Sequence, residues 1–350
     1  RANPRVGYSA TQKFSRDSWS LTHEGKWGFG NSFTSLSYVD TQNHGRTLPF
    51  TTTERELLLQ MIDANGEFAG LAEDERQALA AATFLPRPKR VMASNQYTLD
   101  IKLDMPFELA GQHMLVTGAQ IIRGELEDGV FGMEQGLPGG VQDNNMWSVF
   151  AEDSWDLTQD FTLTAGLRHD DHQVFGSQLS PRLYAVYTLN EQWTIKGGVS
   201  TGFKTPQTTQ LYDGVVGFGG QGTSPQFGNP ELSPETSVSS ELAVYWNHAD
   251  GHNINVTVFQ NEFDDKIASQ PCGAGTAIVC AVTGEYADLG YIVGSRTVNI
   301  DNVTIQGAEL AGRITLLDSL TLRANYTFTD SEQKSGANKG SPLGNSARHM

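Results

Sequence analysis

Apolar side chains recur at every second position through long stretches of this chain. Tyr97, Leu99, Ile101, Leu103 and Met105 alternate with Gln96, Thr98, Asp100, Lys102 and Asp104. Phe161, Leu163, Ala165 and Leu167 alternate with Thr162, Thr164, Gly166 and Arg168. The same beat runs through Trp193, Ile195 and Val199, and through Leu320, Leu322, Ala324, Tyr326 and Phe328. Period two places one oily and one polar face on each strand. About a dozen such strands can be counted, each roughly 9–14 residues, against a usual length of about 5–6. A tilted strand needs about 9–11 residues to cross a bilayer.

The connections add a second rhythm. Short turns are expected near Gly25-Lys26, Pro106 to Gly111, Thr158 to Asp160, Leu189 to Glu191, Ala249 to His252 and Leu317 to Ser319. Between them fall longer stretches near 43–90, 125–144, 171–178, 204–235 and 267–297. Alternating tight turns and long loops is the habit of outer-membrane barrels. A half-buried sheet in a soluble protein shares the period-two pattern but not that alternation. The expected fold class is therefore all-β, a transmembrane antiparallel β-barrel. Trp27, Trp147, Trp155 and Trp193, near strand ends, suit interfacial girdles. The 43–90 stretch also contains two helix-like segments, Glu54 to Ile62 and Glu73 to Phe84, read as a structured loop.

Composition agrees. The chain has 350 residues, with 37 Gly, 17 Phe, 10 Tyr and 6 Trp, a mix suited to strands and turns. Mean hydropathy is −0.36, and no run approaches the roughly 20 apolar residues of a spanning helix. The net charge of −16 argues against nucleic acid as a partner. Cys272 and Cys280 share a Gly-rich stretch, which suits an oxidising compartment and a small loop disulfide, either ligand-facing or purely structural. No catalytic constellation stands out, so an enzyme is not expected. The eight His are scattered, and no metal site is expected. Asp170-Asp171-His172 reads as a strand running into a solvated loop. Gly217 to Gly222 lacks the strand–helix setting and the Lys of a phosphate loop.

Several segments resemble the TonB-dependent siderophore receptors, chiefly the ferric enterobactin (catecholate) group. Ser148 to Thr158 (SVFAEDSWDLT), Leu163 to His172 (LTAGLRHDDH) and Leu179 to Leu183 (LSPRL) are similar to successive strands of that family. Gly198 to Gln207 (GVSTGFKTPQ) is similar to its segment ending in aromatic-Lys/Arg-Ala-Pro. Gly228 to Ser237 (GNPELSPETS) resembles its N-P-x-L-x-P-E motif, and Asn261 to Ile267 and Gly307 to Gly312 match in order.

The resemblance implies TonB-dependent uptake of a ferric siderophore across the bacterial outer membrane, with no resident cofactor. Implied partners are the siderophore, TonB with ExbB/ExbD acting through an N-terminal plug, and lipopolysaccharide and outer-membrane lipid. Family barrels have about 22 strands. The chain is thus expected to be a central piece, lacking the plug with its energy-coupling TonB box and the C-terminal strands. Its start at Arg1-Ala2-Asn3-Pro4 and its end at Arg348-His349-Met350 are read the same way.

A ferric catecholate is anionic, so Arg, Lys and aromatic rings are expected at the mouth. Arg16 and Arg46 fall where the resemblance places two ligand-binding arginines, one on each side of a hairpin. Arg87, Lys89 and Arg90 form the densest basic cluster, which also suits lipopolysaccharide phosphates or nearby carboxylates. The resemblance implies that haem receptors of the family carry a His between the segments matching Gly198 to Gln207 and Gly228 to Ser237; Lys204 to Gly228 contains no His, so haem is disfavoured. A hydroxamate chelate, or a passive porin or adhesin, is the remaining alternative. Such receptors also serve bacteriocins and phage.

Overall fold

The computed structural model describes residues 11–133, 137–219, 224–273, 275, 276, 278, 280, 293–300, 302–317, 319–335, 339–343 and 347–350. In chain order the first strands are β1 (Phe14–Trp27), β2 (Gly30–Asn43), β3 (Met92–Glu108), β4 (Gln112–Asp128), β5 (Gly140–Asp156), β6 (Phe161–His172), β7 (Gly176–Thr188) and β8 (Trp193–Lys204). Then come β9 (Val215–Gly219), β10 (Ser224–Phe227), β11 (Glu235–Asn247), β12 (Asn253–Asp264), β13 (Lys266–Gly273), β14 (Val293–Ile300), β15 (Val303–Leu317) and β16 (Leu320–Gln333). Two helices, α1 (Thr52–Ile62) and α2 (Glu73–Phe84), lie between β2 and β3. Neither is long and apolar enough to cross a membrane, which leaves crossing by strands open.

One antiparallel sheet of twelve strands runs β1-β2-β3-β4-β5-β6-β7-β8-β11-β12-β15-β16. Adjacent strands follow one another along the chain, the meander of a partial barrel, except that β9–β10 and β13–β14 intervene and form a separate four-stranded sheet in the order β13-β14-β10-β9. The last residues, Arg348 and Met350, already hydrogen-bond to the outer edge of β16 through Thr329 and Thr327.

All the long connections, 44–91, 129–139, 205–234 and 265–302, leave the sheet at one end. Among the described residues the other end carries tight turns, including 28–29, 109–111, 157–160, 189–192 and 248–252. One expectation needs correction. The 171–178 segment is no long loop, because β6 runs to His172 and β7 begins at Gly176. Gly176 adopts φ +75, which closes a three-residue turn, and the His172 ring stacks on Phe175 at 4.1 Å. Asp170, read as a loop carboxylate, is 1% exposed and paired with Arg168 at 2.8 Å.

Cross-strand register sorts the side chains. Leu36, Leu99, Ile121 and Trp147 face one another across four strands, as do Val244, Val256, Leu310 and Tyr326 across another four. On this apolar face Ile121, Val149, Leu183, Leu242, Val256 and Leu310 stay between 43% and 53% exposed. Among the described residues no other protein layer covers them. Ala243 and Val303 are the only buried hydrophobic residues of the twelve-stranded sheet among the described residues. A water-soluble sandwich buries this face under a second sheet; here it is left for lipid.

Aromatic rings border the apolar face. At the turn end run Trp27 with Phe29, Phe107 and Trp155 on either side of His113, Phe161 with Tyr187, and Trp193 with Trp246. Towards the long connections Trp19, Tyr38 and Tyr97 cluster, and Trp147 packs on His169. Trp147 and Trp155 are eight residues apart on β5, about 26 Å along a strand at ~3.3 Å per residue. With a strand tilt of about 35–45° this rises about 19–22 Å along the membrane normal, a little under the apolar band of about 25 Å.

Candidate ligand mouth and inner wall

The compact cores of this molecule lie in its long connections. Phe50, Leu58, Met61, Ala80 and Phe84 close the α1–α2 hairpin. Thr51 caps α1 reciprocally with Glu54, its hydroxyl accepting the Glu54 amide while the carboxylate accepts the Thr51 amide. Val130, Phe131 and Met133 of the 129–139 connection pack with Leu48 and Tyr212, the Phe131 and Tyr212 rings 4.1 Å apart. Val215, Phe227, Cys272 and Cys280 form a third core, reached by Leu59 from α1. Cys272 and Cys280 are joined as a disulfide. Four connections thus share packing and make one loop body over one end of the sheet.

Within it the predicted basic residues have different fates. Arg87 is buried. It donates to both Glu54 carboxylate oxygens at 2.7–2.8 Å and to the Leu48 and Pro49 carbonyls, and it lies 4.6 Å over the Phe50 ring. Burial pushes the Glu54 carboxyl up, but the Arg87 hydrogen bonds, the Thr51 amide and the Arg87 charge outweigh it. The net value lies below the ordinary 4.5. Arg90 forms a bidentate pair with Asp128 at 2.6 Å, and Asp128 also accepts the Val130 amide. These two guanidinium groups hold the loop body together, their donors turned inward to neighbouring segments.

Arg16 and Lys89 are exposed, and so is Arg46. Arg16 pairs in register with Thr41, on the polar face and close to the long-connection end. Arg46 stands just beyond β2, its carbonyl accepting the Arg90 amide. Lys89 bridges to Thr47 across the base of the same connection. All three therefore stand at the same end of the β1–β2–β3 unit.

Sequence reasoning missed a joint at the N-P-x-L-x-P-E motif. Asn229 accepts the Glu231 amide and an Arg296 N–H. The Ser233 backbone pairs both ways with the Asn299 side chain. Glu235 accepts from Lys204 at 3.2 Å and from the Ile267 amide at 2.9 Å. The motif ties the 205–234 connection to β13 and β14. Its partners are 30 and more residues away, so periodicity carries no sign of them.

Below the loops the polar face is a hydrogen-bonded wall. Gln120 donates to Asp100 and accepts from Arg168, which also reaches Ser148 and Asp170 and lies over Phe150. Farther round, Arg182 pairs with Glu152 and Tyr184 donates to Glu241. Polar groups placed this way serve a wet or plugged interior, not a lipid contact.

An oily band between aromatic belts, a hydrogen-bonded inner wall and one loop-bearing end together define a segment of an outer-membrane transport barrel. The family comparison agrees: the model for "TonB dependent receptor-like, beta-barrel" matches residues 1–350, and the chain belongs to that family. It is 33% identical to the iron-regulated outer membrane virulence protein of Vibrio cholerae over 83% of this chain and 42% of that protein. It is 28% identical to the ferric enterobactin receptor of Pseudomonas aeruginosa over 91% of this chain and 41% of the receptor. Among solved structures, the siderophore receptor PirA of Pseudomonas aeruginosa superposes with a TM-score of 0.69 at 24% identity, over 94% of this chain and 52% of that one. The chain thus spans less than half the length of these two curated relatives.

Proposed function

We propose that this chain forms part of a TonB-dependent receptor that imports a ferric siderophore, of catecholate type, across the bacterial outer membrane. The family match over the whole chain carries this reading. A relative named as a ferric enterobactin receptor supports the substrate class. The long-connection end is then the extracellular mouth, and the tight turns face the periplasm. Arg16, Arg46 and Lys89 supply positive charge at the mouth to an anionic chelate, while Arg87 and Arg90 stiffen the loops around it. Work reaches the ligand from TonB with ExbB/ExbD through the plug, and the lipid-facing belts meet outer-membrane lipid and lipopolysaccharide. No step in this process makes or breaks a covalent bond.

Binding of ferric catecholate and ferric hydroxamate to the complete receptor, followed by tryptophan fluorescence, tests the substrate class. The catecholate should bind more tightly, and Arg16→Ala should weaken it about tenfold, the loss of ~1.4 kcal/mol from one charged contact. Equal affinity for both chelates, or preference for the hydroxamate, overturns the catecholate assignment. Uptake that persists after the proton gradient is collapsed overturns energised transport in favour of a passive pore.

A further inference from the structure

The turn between β11 and β12 lies at the end opposite the mouth and takes no part in the proposed transport site. It reads His248-Ala249-Asp250-Gly251-His252. The His248 amide donates to the His252 carbonyl at 2.8 Å, and the Gly251 amide to the His248 carbonyl at 2.9 Å. Gly251 adopts φ +81, a conformation that side-chain-bearing residues rarely take. The turn is thereby closed on itself, with both imidazoles on one side, ring centroids 5.7 Å apart and 26° from parallel.

One ligand atom from each of His248, Asp250 and His252 lies within 4.8 Å of the others. His248 Nδ1 and Asp250 Oδ2 are 3.3 Å apart. Two donors about 2.0–2.1 Å from a tetrahedral metal ion stand about 3.3–3.4 Å from each other, so this pair already spans one tetrahedral edge. In both rings Nδ1 accepts a backbone amide, from Asp250 at 3.3 Å and from Thr315 at 3.1 Å. Nδ1 is therefore the nitrogen that offers a lone pair, and these amides occupy the positions an ion would take. Binding an ion displaces both amides; His248 and His252 are half-buried, and water reaches the turn on the side where Asp250 is exposed. Asp250 keeps 73% of its side chain open to solvent, leaving room for water as a fourth ligand.

From this geometry we propose that His248, Asp250 and His252 bind one divalent transition-metal ion of the zinc class. Two imidazoles and a carboxylate suit Zn²⁺ and Co²⁺, whereas Mg²⁺ and Ca²⁺ take oxygen ligands. The ion clamps the two ends of the β11–β12 turn at the rim of the sheet, beside the Trp246 ring, 5.7 Å from His248. It is separate from iron, which in the transport reading arrives already chelated at the other end.

The test is calorimetric titration of Zn²⁺ into the chelator-treated, detergent-folded receptor, with Co²⁺ absorption as a second readout. One Zn²⁺ should bind to the wild type and to the remote variant His44→Gln, and excess Mg²⁺ should not displace it. Asp250→Asn should bind at least tenfold more weakly, and His252→Gln should lose the site. Co²⁺ should give tetrahedral visible bands that the His252→Gln variant lacks. Heat-modifiable migration confirms that each variant is folded. No Zn²⁺ binding by the wild type, or undiminished binding by folded His248→Gln and His252→Gln, overturns the proposal.

Discussion

Arg87 shows how one side chain can organise a connection of nearly fifty residues. Its donors reach α1 through Glu54 and the chain before α1 through the Leu48 and Pro49 carbonyls. Replacing it with Ala strands the Glu54 carboxylate and removes the packing over Phe50. Breaking a buried pair costs about 3–5 kcal/mol, but Glu54 keeps 34% side-chain exposure, so about 2–3 kcal/mol is expected. Limited proteolysis should then cut within 44–91 while the sheet stays intact. The pH dependence follows from Glu54, whose folded-state value is lowered. Its contribution is fully present above the ordinary 4.5 and is lost as pH falls through the lower folded value. Acid should therefore sensitise this loop to protease, and Arg87→Ala should flatten that dependence. Unchanged cleavage in Arg87→Ala would remove Arg87 from this role.

At the scale of elements, close strand approach on the polar face depends on glycine beneath an aromatic ring. A Cβ on Gly118 would stand 2.7 Å from the Phe150 ring and collide with the Ile101 carbonyl. A Cβ on Gly307 would meet the Phe259 ring at 2.7 Å and the Phe328 carbonyl. The rings can swing away, but the carbonyls belong to the ladder and cannot. Gly118→Val should sharply reduce the heat-modifiable folded band on gels, and adding Phe150→Ala should not restore it. Full recovery in the double variant would show that ring contact alone sets the constraint. The strands themselves were legible in the sequence, because each strand's pattern is local and one register shift would turn its oily face inward. The turn at 173–175 was not, because Asp170 and His172 are polar residues of an inner wall and look, along the chain, like a solvated loop. Nor were the loop cores legible: Leu59 packs against the core formed by Val215, Phe227, Cys272 and Cys280 from far along the chain. The basic run at 87–90 announced charge, but Glu54 and Asp128, which claim two of its members, lie more than thirty residues away. For the Asn229–Glu235 motif, resemblance supplied its presence and the fold supplied its work.

At the scale of the whole molecule, the buried core has moved from the sheet to the loops, and lipid takes the place of a second protein layer. Side chains in sequence should then differ by face. Val256→Arg, on the apolar face, should cost about 2–4 kcal/mol in a bilayer if it lies near the midplane, and Thr257→Arg, on the polar face, far less. Unfolding by denaturant in phospholipid vesicles reads that difference, and equal losses would contradict the two-faced wall. The most direct measurement is spin-label accessibility along β12, one nitroxide at a time from Ile254 to Phe259, with the complete receptor in a bilayer and the native disulfide intact. The account predicts high oxygen and low nickel-chelate accessibility at 254, 256 and 258, and the opposite at 255, 257 and 259. Accessibility that fails to alternate, or alternates in the opposite phase, would contradict it.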